Sequence, residues 1–140
     1  MHVISGERRF AAPPERVYGL LTDPDVVASA MPAVRSHRVA DADHWEAKVK
    51  PPLPLAPTLT IRFEVQERRP FEHAALRAHG GGADVLSRFD LEPDGDGTTM
   101  RWHTELQLGG ILGRIAGGHG IDAIARRQAE RTLDAVDRAL

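Results

Sequence analysis

Seven histidines, four serines and a His-Gly-Gly-Gly run are the residues through which this 140-residue chain could do chemistry. His79-Gly80-Gly81-Gly82 spells the oxyanion loop of lipases and esterases, but that loop works beside a nucleophile in Gly-x-Ser-x-Gly. None of Ser5, Ser29, Ser36 or Ser87 stands between glycines at that spacing, so the run is read as a glycine-rich hairpin turn. No glycine cluster is followed by Gly-Lys-Ser/Thr, which leaves a phosphate-cradling loop unsupported. Metal ligands must converge. There is no His-Glu-x-x-His, and His73, His79 and His103 fall on the predicted outer faces of strands, so no metal is expected. The chain has no cysteine, which removes thiol catalysis, cysteine-ligated metals and disulfides. No nucleophile or acid–base set converges, so no catalytic residues and no cofactor are assigned. The chain reads more as a binding protein than as an enzyme.

The elements that would position these residues are mostly strands. Met100, Trp102, Thr104, Leu106 and Leu108 alternate with polar neighbours, as do Leu59, Ile61, Phe63 and Val65. Val85, Ser87, Phe89 and Leu91 form a third stripe; Trp45, Ala47 and Val49 a fourth; Ala74, Leu76 and Ala78 a weaker one. Ile4, Gly6, Arg8 and Phe10 suggest a first strand, with Arg8 an odd member of an inner face that must be paired, reach solvent or meet a ligand. Gly/Asp turns at Asp41-Ala42-Asp43, His79–Gly82 and Pro93–Gly97 imply an antiparallel meander with one apolar face. Pro13-Pro14-Glu15 and Asp23-Pro24-Asp25 open two short helices between the first two strands. Ile121, Ile124, Ala125, Gln128, Leu133, Val136 and Leu140 mark a long C-terminal helix, the only element able to cover the sheet. The expected class is α+β: a seven-stranded curved antiparallel sheet around that helix, in one domain over residues 1–140. Gly117-Gly118-His119-Gly120 predicts a break ahead of the helix, which resumes near Ile121.

The formal charge is −2 and no basic stripe is present, so nucleic acid is not expected as a partner. Arg8 and Arg9 are followed by Phe10 and prolines rather than an apolar run, and no stretch is long enough to span a membrane, so a cytoplasmic protein is expected.

The Pro13-Pro14-Glu15-Arg16-Val17-Tyr18 opening, Thr22-Asp23-Pro24, Met31-Pro32, Trp45-Glu46-Ala47, Leu91–Gly95 and Leu108-Gly109-Gly110 come in an order that resembles the START-like (SRPBCC) superfamily. The series is most similar to the G-type accessory proteins of carbon monoxide dehydrogenase. The resemblance implies a helix-grip fold with an apolar cavity under the C-terminal helix. It also implies an accessory role, carrying a quinone- or lipid-like molecule for a molybdenum hydroxylase at the membrane surface. Other members cyclise polyketides, and a protein-docking adaptor with a vestigial cavity is a third reading. The G-type proteins often carry a hydrophobic C-terminal extension; none follows the last helix here, which weighs against membrane recruitment by that route.

Aromatic residues make up only 5% of the chain, yet Trp45, Phe63, Phe89 and Trp102 all fall on the predicted concave face. They are the expected walls of a cavity for a flat apolar ligand, with Ile61, Val65, Leu76 and Leu106 beside them and Ile115, Ile121 and Ile124 from the covering helical region. Arg8, His37 and His119 are the expected polar contacts, since an apolar pocket needs only a few oriented polar groups. Lys50–Pro57 holds four prolines and cannot pair regularly; Leu53 and Leu55 make it a candidate lid. The ligand, the partner protein and the oligomeric state stay open.

Overall fold

The computed structural model describes residues 1–117 and 120–140. Its elements run β1 (His2–Phe10), α1 (Pro14–Leu21), α2 (Pro24–Ala30), β2 (Val34–Asp41), β3 (His44–Val49), β4 (Leu59–Arg69), β5 (His73–Gly80), β6 (Ala83–Asp94), β7 (Gly97–Leu108), α3 (Gly110–Ala116) and α4 (Ile121–Arg138). One antiparallel sheet has the order β1-β7-β6-β5-β4-β3-β2. The first strand therefore pairs with the last, and α1 and α2 carry the chain between the two sheet edges. With α4 across the concave face, this is the helix-grip fold expected from the sequence.

Local chemistry explains the connections. Pro14 and Pro24 start the short helices, and the Asp23 carboxylate accepts a hydrogen bond from the Asp25 amide at 3.0 Å. Asp41 accepts from the Asp43 amide at 2.8 Å, closing the β2–β3 turn. Gly81 and Gly82 both hold positive φ, 59° and 91°, as a two-residue hairpin turn requires. His79-Gly80-Gly81-Gly82 is thus the end of β5 and its turn.

Two apolar clusters form. One gathers Phe10, Val17, Tyr18, Leu91, Met100 and Trp102 under Leu133 and Val136 of α4. The other gathers Trp45, Ile61 and Phe63 with Ala28 and Leu112. Burial pushes the Tyr18 phenol above the usual tyrosine range, and its hydroxyl donates to the His73 carbonyl at 3.1 Å.

Polar contacts strap α4 to edge strand β1 along its length. His2 Nδ1 lies 2.6 Å from Asp122 Oδ1, and Arg126 Nη1 donates to the Ser5 carbonyl at 2.7 Å. Arg8 Nη1 lies 2.7 Å from Asp134 Oδ1, with Nη2 3.6 Å from Asp137. α3 packs ahead of the predicted break, and α4 begins at Ile121 behind Gly120, whose φ of 62° only glycine adopts readily. Gly118 and His119 lie outside the described residues. Among the described residues no helix is long and apolar enough to cross a membrane.

Candidate functional site

The two clusters do not meet. Between them lies a cavity of about 400 Å³, lined from the first by Ile4, Met100, Trp102 and Leu133 and from the second by Leu59, Ile61, Phe63, Ala78 and Leu112. This volume falls within the roughly 300–1,000 Å³ typical of small-molecule pockets. Its wall is apolar except for Ser87, Arg88, Thr104, Gln128 and Thr132. Ser87 and Thr104 are inner-face register partners on β6 and β7, their hydroxyl oxygens 2.9 Å apart. Gln128 and Thr132 come from α4, and the Thr132 hydroxyl donates to the Gln128 main-chain carbonyl at 2.9 Å. Arg88 lies between the inward Ser87 and Phe89, so strand alternation turns its exposed side chain to the convex face.

Most of the residues singled out from sequence reach this wall. Ile61, Phe63, Leu76, Phe89, Trp102, Leu106, Ile121 and Ile124 line it, and Leu53 lines it beside Pro51 and Pro52 of the proline-rich loop. Others do not. Trp45 is buried, but it stacks on its register partner Phe63 with ring centres 3.8 Å apart, so it packs behind the wall. Val65 sits where a register shift interrupts the β4–β5 pairing, and α3 contributes Leu112 in place of Ile115. Leu55 is 94% exposed and is not part of the wall of the cavity it was expected to cover.

The expected polar contacts are differently employed. Arg8 is held by Asp134 and Asp137, and His37 Nε2 lies 2.8 Å from Asp25 Oδ1 in the first turn of α2. Both are braces between elements, and neither lines the cavity. His119 lies outside the described residues.

Sequence reasoning passed over Gln128, Ser87 and Thr104, although all three stand on the inward stripes it had drawn. It also missed Val27 and Met31, which join the wall because α2 folds back beneath the sheet edge. No periodicity in so short a helix signals that.

Among the described residues the wall carries no His, Asp, Glu or Lys. Nor does any group of three or more His, Asp or Glu residues converge as a metal site would need. His2, His37, His44, His73 and His103 instead each face a carboxylate. The arrangement can exclude water, enclose an apolar skeleton and offer it a few neutral hydrogen-bonding groups.

A family model described as polyketide cyclase/dehydrase and lipid transport matches residues 1–140. Solved structures share the fold at low identity. A conserved protein from Geobacillus kaustophilus superposes with a TM-score of 0.81 at 17% identity, covering 99% of this chain and 94% of that one. A START superfamily protein from Mycobacterium smegmatis gives 0.77 at 15%, covering 99% and 97%. A Chromobacterium violaceum protein gives 0.72 at 17%, covering 99% and 96%. No curated protein matches the sequence significantly.

Proposed function

The chain belongs to the polyketide cyclase/dehydrase and lipid transport family across residues 1–140, and from that premise we propose that it holds one apolar small molecule between its sheet and α4. The observation that carries this reading is the cavity of about 400 Å³ with an almost wholly apolar wall. A void of that size inside a close-packed domain leaves apolar surface without packing partners, and a guest restores those contacts. Ile61, Phe63, Leu76, Phe89, Trp102 and Leu106 are the proposed contacts on the sheet, with Ile121 and Ile124 above and Leu53 at the lip. Native mass spectrometry of protein purified without detergent tests this. A co-purifying apolar molecule, or uptake of added quinone or fatty alcohol, is expected; neither appearing would sink it.

The finer role follows the motif series. The proposal is a cytoplasmic carrier of a quinone- or lipid-like molecule, accessory to a molybdenum hydroxylase in the manner of the G-type proteins of carbon monoxide dehydrogenase. Affinity purification should then retain the hydroxylase, and its absence would remove the partner while leaving the cavity reading intact.

The family description also supports a catalytic reading, in which the cavity folds a reactive chain for cyclisation or dehydration. Shape would supply most of that effect. Arg8 and His37 are engaged elsewhere, so Ser87, Thr104 and Gln128 are the polar groups at hand. Turnover of a cyclisation substrate that survives Thr104→Val and Gln128→Leu unchanged would exclude roles for those two.

A further inference from the structure

The ligand's own chemistry can be read from the few polar atoms it would meet. The Thr132 hydroxyl donates to the Gln128 main-chain carbonyl, so its proton is already committed. Of the Ser87–Thr104 pair, 2.9 Å apart, one hydroxyl donates to the other. The second hydroxyl hydrogen and the remaining lone pairs are left for a guest. The Gln128 side-chain amide makes no hydrogen bond to the described residues and lines the same cavity from α4.

Among the described residues no cation is offered to that space. Arg8 is taken by Asp134 and Asp137. Arg126 donates to the Ser5 carbonyl, its guanidinium 6.0 Å from the Trp102 ring centre. Arg88 is directed to the convex face. A carboxylate drawn into such a wall would lose its hydration and find no ionic partner, which is strongly unfavourable. A neutral oxygen would find both donors and acceptors.

We infer that the cavity takes an uncharged, largely hydrocarbon molecule bearing a hydrogen-bonding oxygen, such as an alcohol, ketone or quinone carbonyl. That oxygen seats on the Ser87–Thr104 hydroxyl pair and the Gln128 carboxamide, and the site rejects the ionised acid of the same skeleton. This rests on the reading that the cavity binds an apolar molecule at all.

The test loads the cavity with the neutral fluorophore N-phenylnaphthylamine and displaces it with dodecane, dodecanol or dodecanoate at neutral pH. Dodecanol is expected to displace the probe at about tenfold lower concentration than dodecanoate. Thr104→Val and Gln128→Leu keep side-chain size and remove hydrogen bonding, so each should shrink the advantage of dodecanol over dodecane several-fold. If Thr104→Val fails to fold, Ser87→Ala disrupts the same pair from the neighbouring strand and is read by the same ratio. Equal displacement by alcohol and acid, or an alcohol advantage that no substitution changes, overturns the inference while probe binding keeps the cavity reading standing. A wild-type chain that binds neither probe nor dodecanol overturns both.

Discussion

The indole of Trp102 lies over Gly6, its register partner on β1, so closely that a Cβ on Gly6 would stand 2.6 Å from Cζ2 and 2.8 Å from Nε1. Trp102 is buried in the first apolar cluster, so the only space open to its ring is the cavity, and moving there would break that packing. Alanine ordinarily suits a strand better than glycine, and here the clash reverses that preference. Gly6→Ala should cost about 1–3 kcal/mol through overpacking, lowering the melting temperature by several degrees. In a Trp45→Phe background, emission from Trp102 alone should shift as the ring is displaced. Unchanged melting and emission would show that the contact is easily relieved.

Arg8 makes a different prediction from the one its inner-face position first suggests. Its guanidinium braces α4 through Asp134 and Asp137 and takes no part in the cavity wall. Arg8→Met should cost about 1 kcal/mol, in keeping with a partly exposed ion pair, and less in high salt. Hydrogen exchange should quicken in the second half of α4. Affinity for a cavity probe should stay within about twofold of wild type, equivalent to a few tenths of a kcal/mol; a larger loss would return Arg8 to the binding site.

Leu53 and Leu55 separate along the same lines. Leu55 holds a φ of 64° with its side chain 94% exposed, both unfavourable for leucine. Leu55→Asn, which tolerates that backbone, should stabilise the chain by up to about 1 kcal/mol in denaturant unfolding. Leu53→Asn should instead weaken probe binding, because Leu53 faces the cavity. Opposite results for the two would reverse their assignment as exposed tip and lip.

The β2–β3 turn carries a pH-dependent contact. His44 Nδ1 lies 2.9 Å from Asp41 Oδ1; hydrogen bonding to that carboxylate raises the His44 pKa, and the hydrogen bond from His44 lowers that of Asp41. The histidine's contribution is present below its unfolded pKa and fades as pH rises through its raised folded value. The carboxylate's is present above its unfolded pKa and is lost as pH falls through its lowered one. The pair therefore supports the turn between those two limits. NMR titration should place His44 above an unperturbed histidine, and Asp41→Asn should return it to the ordinary range. An unshifted His44 would mean the pair does not persist in solution.

Strand faces were legible because burial on one side of a sheet writes a period of two into the sequence, as with Ile61, Phe63 and Trp102. Helix starts were legible because proline and aspartate act locally, as at Pro14 and Asp23. What a side chain meets across the fold was not. Trp45 and Phe63 read as equivalent inner aromatics, but one shields the other from the cavity because they are stacked partners. Arg8 and His37 read as polar lining, since nothing local reveals that Asp134 and Asp25 arrive from distant helices to pair with them. Ser87, Thr104 and Gln128 stood on the correct stripes. Their importance emerged only when the void around them was visible.

The most direct measurement fills that void. Ala129 of α4 lines the cavity, and Ala129→Phe places a ring where a guest would lie. Titration with N-phenylnaphthylamine should give saturable fluorescence enhancement with the wild-type chain and at least about tenfold weaker binding with the variant, whose melting temperature should hold or rise as the space is filled. Equal enhancement by both, or none by the wild type, would contradict a ligand-binding cavity between the sheet and α4.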